Sequence, residues 1–154
     1  MISDTARYHG SFFVLLFEKL EAPVTVERIS VLGAGYYLLG GRIPVYLKIS
    51  SKRAGPWLFN FFRSHQEAQK NLFQEYGQCF TCLICGKDGV AGLSMEELRQ
   101  VLDNDFEEQE AISVRRRLNT MYQIKGRNGV LESRVSRLSI FDKLQQALAA
   151  DKMS

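Results

Sequence analysis

Cys79, Cys82 and Cys85 stand three residues apart, a spacing that invites thiolate ligation of zinc or an iron–sulfur cluster. They also lie in a nearly uninterrupted apolar run that reads as a strand buried on both faces. Side chains alternate along a strand, so Cys79 and Cys85 face one side and Cys82 the other. Three sulfurs divided in this way cannot converge on one ion. The set therefore reads as core, each thiol packing as a small hydrophobe. His9 and His65 are the only histidines, and neither stands in a recognisable ligand or nucleophile motif. His65 falls in the first turn of an expected helix, where main-chain amides can help bind an anion. The Gly-Lys-Asp-Gly turn at 86–89 lacks the glycine spacing and the following helix of a phosphate loop or a dinucleotide fingerprint.

Cations carry the remaining chemistry. Lys52, Arg53 and Arg63 flank Trp57, Phe59, Phe61 and Phe62, a combination of charge and stacking faces that single-strand binders use. Alternating aromatics also close the edge of a core, and that is the competing reading. A second basic region, with Arg115, Arg116, Arg117, Lys125, Arg127, Arg134 and Arg137, falls on an expected hairpin. A two-stranded ribbon fits a major groove or lies along phosphates. Just before it, residues 96–110 hold seven acids against one base, so pairing within the chain competes with nucleic-acid binding. The formal net charge is only +3, and its uneven distribution is more informative than its sum.

The elements that must position these residues follow from periodicity. Residues 4–20 carry an apolar stripe at helical spacing, ended by Pro23. Residues 24–32, 36–39 and 43–50 read as three strands joined by turns at Gly33, Gly35 and Gly40-Gly41. In the third strand, period two puts Ile43, Val45, Leu47 and Ile49 on one face and Tyr46 and Lys48 on the other. An extended segment at 57–61 leads into a helix whose capping box is Ser64 with Glu67 and whose stop is Gly77. A buried strand at 79–85, a short strand at 90–93 and a helix capped by Ser94 and Glu97 follow. Strands at 112–117, 120–125 and 130–135 then precede a terminal helix. With 154 residues, 45% hydrophobic and 24% charged, the chain is sized and composed as one globular domain, residues 1–154. The expected fold class is α+β, a mixed central sheet flanked by helices, with a C-terminal β-hairpin and helix at about 111–150. The odd cysteine count predicts no disulfide framework and a reducing, cytoplasmic setting. Neither a signal peptide nor a bilayer-spanning segment is expected, and so no membrane partner.

The order helix, three antiparallel strands, helix, buried strand, helix over residues 4–102 resembles the core of the PD-(D/E)xK, or restriction-endonuclease-like, fold. The resemblance implies a divalent-metal site for phosphodiester cleavage. That site takes an Asp from the second core strand, an acid two residues before a Lys on the third, and often a Glu from the first helix. By position, Glu18 matches the helix acid and Lys48 the strand lysine. Tyr46 stands where the strand acid belongs, and Tyr36, Tyr37, Leu38 and Leu39 include no Asp. Gln69 and Phe73 are similar in part to a Gln-x-x-x-Tyr element of some branches. A hard cation needs several oxygen ligands, so the incomplete set points to a degenerate nuclease-like core. Such a protein needs no cofactor and binds DNA or RNA through Lys48, Lys52, Arg53, Arg115, Arg116, Arg117, Lys125 and Arg127. The enzymatic alternative is a nuclease with migrated carboxylates, using Glu18, Glu27 and Lys48 around magnesium or manganese. A third reading is a protein-interaction module whose acidic and basic segments pair within the chain, across a homodimer or in a larger assembly.

Overall fold

The first helix, α1 (Asp4–Lys19), begins where the Ser3 side chain accepts a hydrogen bond from the amide of Ala6, and it buries Phe12 and Leu16. In the computed structural model, which describes residues 1–150, this stripe rests on a five-stranded mixed sheet. The strands are β1 (Val26–Arg28), β2 (Tyr36–Leu39), β3 (Ile43–Ser50), β5 (Phe80–Cys85) and β6 (Gly89–Leu93), in the order β1-β2-β3-β5-β6. All pairs are antiparallel except β3 with β5. A parallel pair needs a long crossover, and here it runs through β4 (Trp57–Phe62) and α2 (Arg63–Tyr76). β5 is buried along its whole length, as its continuous apolar sequence requires.

The strand alternation divides the core in two. On one face Leu39, Ile43, Val45, Leu47 and Cys82 pack with α1 and with α4 (Ser139–Ala150). On the other face Tyr36, Tyr46, Cys79, Leu83 and Cys85 pack with α2, with α3 (Met95–Val101) and with a second sheet. The three cysteines are free and split between these faces.

That second sheet is the main departure from the sequence reading. It joins β4 to β7 (Gln109–Arg115), β8 (Gln123–Gly126) and β9 (Gly129–Val130), all antiparallel, in the order β4-β7-β8-β9. The C-terminal hairpin is thus no appendage, because β7 pairs along all of β4 and its inward side chains Ile112 and Val114 complete the core with Trp57, Phe59 and Phe61. The tip of the hairpin is clamped as well. The Asn128 amide N–H donates to the Val101 carbonyl at 2.9 Å, and its side chain holds Asp103. A Cβ on Gly126 would stand 2.4 Å from that same Val101 oxygen, so the close approach requires glycine.

Several boundaries also shift. Only Val26–Arg28 of the expected first strand pairs, and a 3-10 turn at Ser30–Leu32 follows. Residues 109–111, ahead of the strand expected at 112–117, open β7, while of 130–135 only Val130 lies in a strand, the two-residue β9, and Val135 keeps a lone bridge to Tyr122. Ser64 does not cap α2. That helix starts at Arg63 with Phe62 in the cap position, and the imidazole Nδ1 of His65 accepts from the Phe62 amide at 3.2 Å. Gly77 ends it in the left-handed conformation, φ +80°, as its sequence position implies.

Candidate nucleic-acid interface

Period two along β3 brings Tyr46 and Lys48 out on the side of the second sheet, with Tyr36 opposite Tyr46 on β2 and Thr81 opposite it on β5. The Tyr36 and Tyr46 rings stack at 4.1 Å with 5° between their planes. The Lys48 ammonium lies 5.2 Å from the Tyr46 ring centre and 5.0 Å from that of Phe61, and donates to the Tyr46 hydroxyl at 3.2 Å. Burial without a compensating anion lowers Lys48 to a pKa of about 8. The same cause pushes the Tyr46 phenol up to about 12. His65 closes the group, its ring 5.7 Å from Tyr46 and 5.3 Å from Phe62. Burial lowers its pKa, and the nearby Lys48 charge lowers it further. The cluster is therefore an ammonium with reduced hydration, walled by aromatic rings, beside an imidazole poised neutral.

The two acids expected to join Lys48 lie elsewhere. Glu18 is exposed on α1, which covers the opposite face of the first sheet. Glu27 is exposed on β1 and pairs with Leu38, which pairs with Pro44. Two strands sideways and four residues along the ladder separate it from Lys48, about 16 Å at ordinary strand spacings. Among the described residues no group of three His, Cys, Asp or Glu side chains is arranged to hold a metal ion. The surroundings of Lys48, two phenol rings, a phenyl ring and an imidazole, do not fit a hard divalent cation, which takes carboxylate and carbonyl oxygens.

The remaining cations fall into two groups. Arg116 forks onto the Asp88 carboxylate, which also accepts from the Tyr122 hydroxyl at 2.7 Å. Arg127 is held by Glu110 at 2.6 Å, with Glu107 and Asp103 beyond. Glu110 is itself buried and accepts from Gln66, whose side-chain oxygen takes Arg99. The pairing of the acidic segment with the hairpin is thus realised inside the chain at Arg127. By contrast Lys52, Arg53, Arg115, Arg117 and Lys125 are exposed, and none of them forms an ion pair with a described carboxylate. Lys52 reaches only the Pro56 carbonyl, at 3.2 Å.

The Asp88 junction carries a stability prediction. Hydrogen bonding to Arg116 holds the carboxyl below its ordinary range, opposed by burial and helped by Tyr122. A depressed folded pKa stabilises the fold at pH values above the unfolded value of about 3.9, and that contribution is lost as pH falls through the folded value. Asp88→Asn is expected to lower stability at pH 7 by about 1.5–3 kcal/mol, the range for hydrogen bonds to a charged group. Urea midpoints measured at pH 7 and pH 3 should show the gap between variant and parent narrowing at acid pH.

A mixed β1-β2-β3-β5-β6 sheet with helices on both faces is of the restriction-endonuclease-like class of fold. A solved structure of similar fold is that of Hjc, a Holliday junction resolvase from the archaeal hyperthermophile Archaeoglobus fulgidus. The two superpose with a TM-score of 0.50 over 72% of this chain and 84% of the resolvase, at 11% sequence identity. No family model matches the chain, and no curated protein does. At that identity the likeness is one of fold. No helix among the described residues is long and apolar enough to cross a membrane.

Sequence reasoning located Lys48 and its face but missed His65 as its neighbour. The signal available was position. His65 lies on the first turn of a helix that begins directly at the end of β4, and β4 must pack its inward aromatics over β3.

Proposed function

We propose that this chain is a nucleic-acid-binding protein with a degenerate nuclease-like core, which holds DNA or RNA by phosphate neutralisation and does not cleave it through a metal beside Lys48. The observation that carries the reading is the environment of Lys48, a half-buried ammonium with aromatic walls and no carboxylate, on a restriction-endonuclease-like fold. A cation in this state has lost part of its hydration and gains more from a phosphate than a fully solvated one does. Lys52, Arg53, Arg115, Arg117 and Lys125 add exposed charge, while Arg116 and Arg127 are committed to acids of the chain. Contacts of this kind position a nucleic acid without reading its sequence. The three unpaired thiols fit the reducing, cytoplasmic setting of such a protein.

The test is fluorescence anisotropy with labelled duplex, single strand and four-way junction across a salt series, with and without magnesium or manganese, followed by sizing of the products. The four-way junction is included because Hjc is a junction resolvase. Affinity should fall as salt rises, by about 0.9 log unit per phosphate contact per log unit of salt on duplex, with every strand left at full length. Absence of binding at low salt would overturn the reading. Metal-dependent shortening abolished by Lys48→Ala would replace it with the nuclease.

A further inference from the structure

We infer that the open face of the second sheet is a platform for a single nucleic-acid strand, leading across Phe62 toward Lys48. This rests on the nucleic-acid reading and goes beyond it by naming the form of the ligand and the surface it crosses.

The face is set by the alternation of β4. Trp57, Phe59 and Phe61 point inward to the core, and Leu58, Asn60 and Phe62 point outward. Register carries the same surface across the sheet, with Ser113 opposite Leu58, Lys125 opposite Ser113, and Gln123 opposite Arg115. Among the described residues no helix covers this surface, since α1 and α4 lie on the far face of the first sheet and α2 and α3 pack into the core between the sheets. Leu58 remains 60% exposed and Phe62 48% exposed.

Charge decides what fits there. None of the outward positions of the four strands is acidic, although residues 96–110 are rich in acids. Glu110, the acid that falls within β7, points inward to Gln66 and Arg127. The outward charges are Arg115 and Lys125, and the outward polar groups beside them are neutral amides and a hydroxyl. A polyanion is thus favoured over a cationic partner. A duplex keeps its bases stacked inside and would offer this face only phosphates, for which it has two cations. A single strand also offers unpaired bases, which stack on exposed apolar rings and hydrogen-bond to amides. The Phe62 ring, 5.3 Å from His65, joins the platform to the Tyr46 and Lys48 cluster, so one strand can engage both.

The experiment compares a labelled mixed-sequence single strand with its own duplex by anisotropy, using the full chain and two variants at exposed positions, Phe62→Ala and Lys125→Ala. The parent should bind the strand more tightly than the duplex. Phe62→Ala should weaken strand binding about 5- to 100-fold, the effect of removing one stacking partner, and leave duplex binding within twofold. Lys125→Ala should reduce the salt slope on the strand by about 0.7. Equal or tighter duplex binding, with Phe62→Ala silent, would overturn the single-strand platform while the nucleic-acid reading stands. Failure of both probes to bind would remove both. Concentration-dependent dimerisation in sedimentation, dissolved by Leu58→Glu, would assign the face to a second copy of the chain and overturn the inference.

Discussion

Gly92→Ala is expected to destabilise the protein by about 3 kcal/mol or more, at the upper end of overpacking costs, lowering Tm by roughly 6–12 °C for a chain of this size. Gly92 sits on β6 opposite Cys82, where α4 crosses the sheet. A Cβ there would stand 2.3 Å from the Cβ of Ile140 and 2.4 Å from its Cγ1, far inside contact distance. The Cβ of Ile140 is fixed to its backbone, so no rotamer change relieves the clash and the helix itself must move. Because α4 packs with α1 over the same face, displacement loosens that whole layer. A double-mutant cycle isolates the cause. Ile140→Ala alone should cost about 2–5 kcal/mol through the cavity it leaves. Combined with Gly92→Ala it should cost less than the sum, by about 1–3 kcal/mol. Alanine keeps the Cβ of residue 140, so the relief comes from the lost Cγ1 and Cδ1, and additive losses in urea unfolding would show that those atoms do not meet the added methyl.

Raising the pH from 7 to 9 is expected to weaken nucleic-acid binding about five- to tenfold at roughly 0.1 M salt, the contribution of one phosphate contact. Lys48 carries its charge in most molecules at pH 7 and in few at pH 9, because burial lowers its pKa to about 8. Bound phosphate favours the charged form, so affinity is lost as the free protein deprotonates. The fold responds with the opposite sign. A lysine with a depressed folded pKa costs stability while charged in both states, and that cost fades as pH rises from about 8 toward the unfolded value near 10.4. Binding and stability should therefore move in opposite directions where the two ranges overlap, at about pH 8 to 9. Lys48→Arg, whose guanidinium stays charged, should flatten the binding profile. An unchanged fall with pH in that variant would assign the titration to another group.

Local signals made part of this molecule legible in its sequence. β2 and β3 fall at 36–39 and 43–50 as read, because two glycine turns bracket them and their alternation is clean. The stop of α2 at Gly77 and the capping box of Ser94 with Glu97 are likewise written within a few residues. The division of the cysteines follows from period two alone. What was hidden depends on distant partners. Trp57, Phe59 and Phe61 announce one buried face, but only the pairing of β4 with β7, some fifty residues on, makes a second sheet. The hairpin cations read as one basic patch until Asp88 and Glu110 are seen to claim Arg116 and Arg127. At the site, alternation put Lys48 beside Tyr46. The distance of Glu27 from Lys48 required the β1 register, which a three-residue strand does not encode strongly.

Whether Lys48 is a phosphate-binding cation is decided by the salt dependence of duplex binding by the parent and Lys48→Met at pH 7. Methionine keeps the apolar stem between the Tyr46 and Phe61 rings and removes only the charge. Lys48→Met should show a shallower slope, by about 0.9 in log affinity per log salt, with neither protein shortening the duplex when manganese is present. Superimposable lines, with equal affinity at every salt concentration, would contradict it.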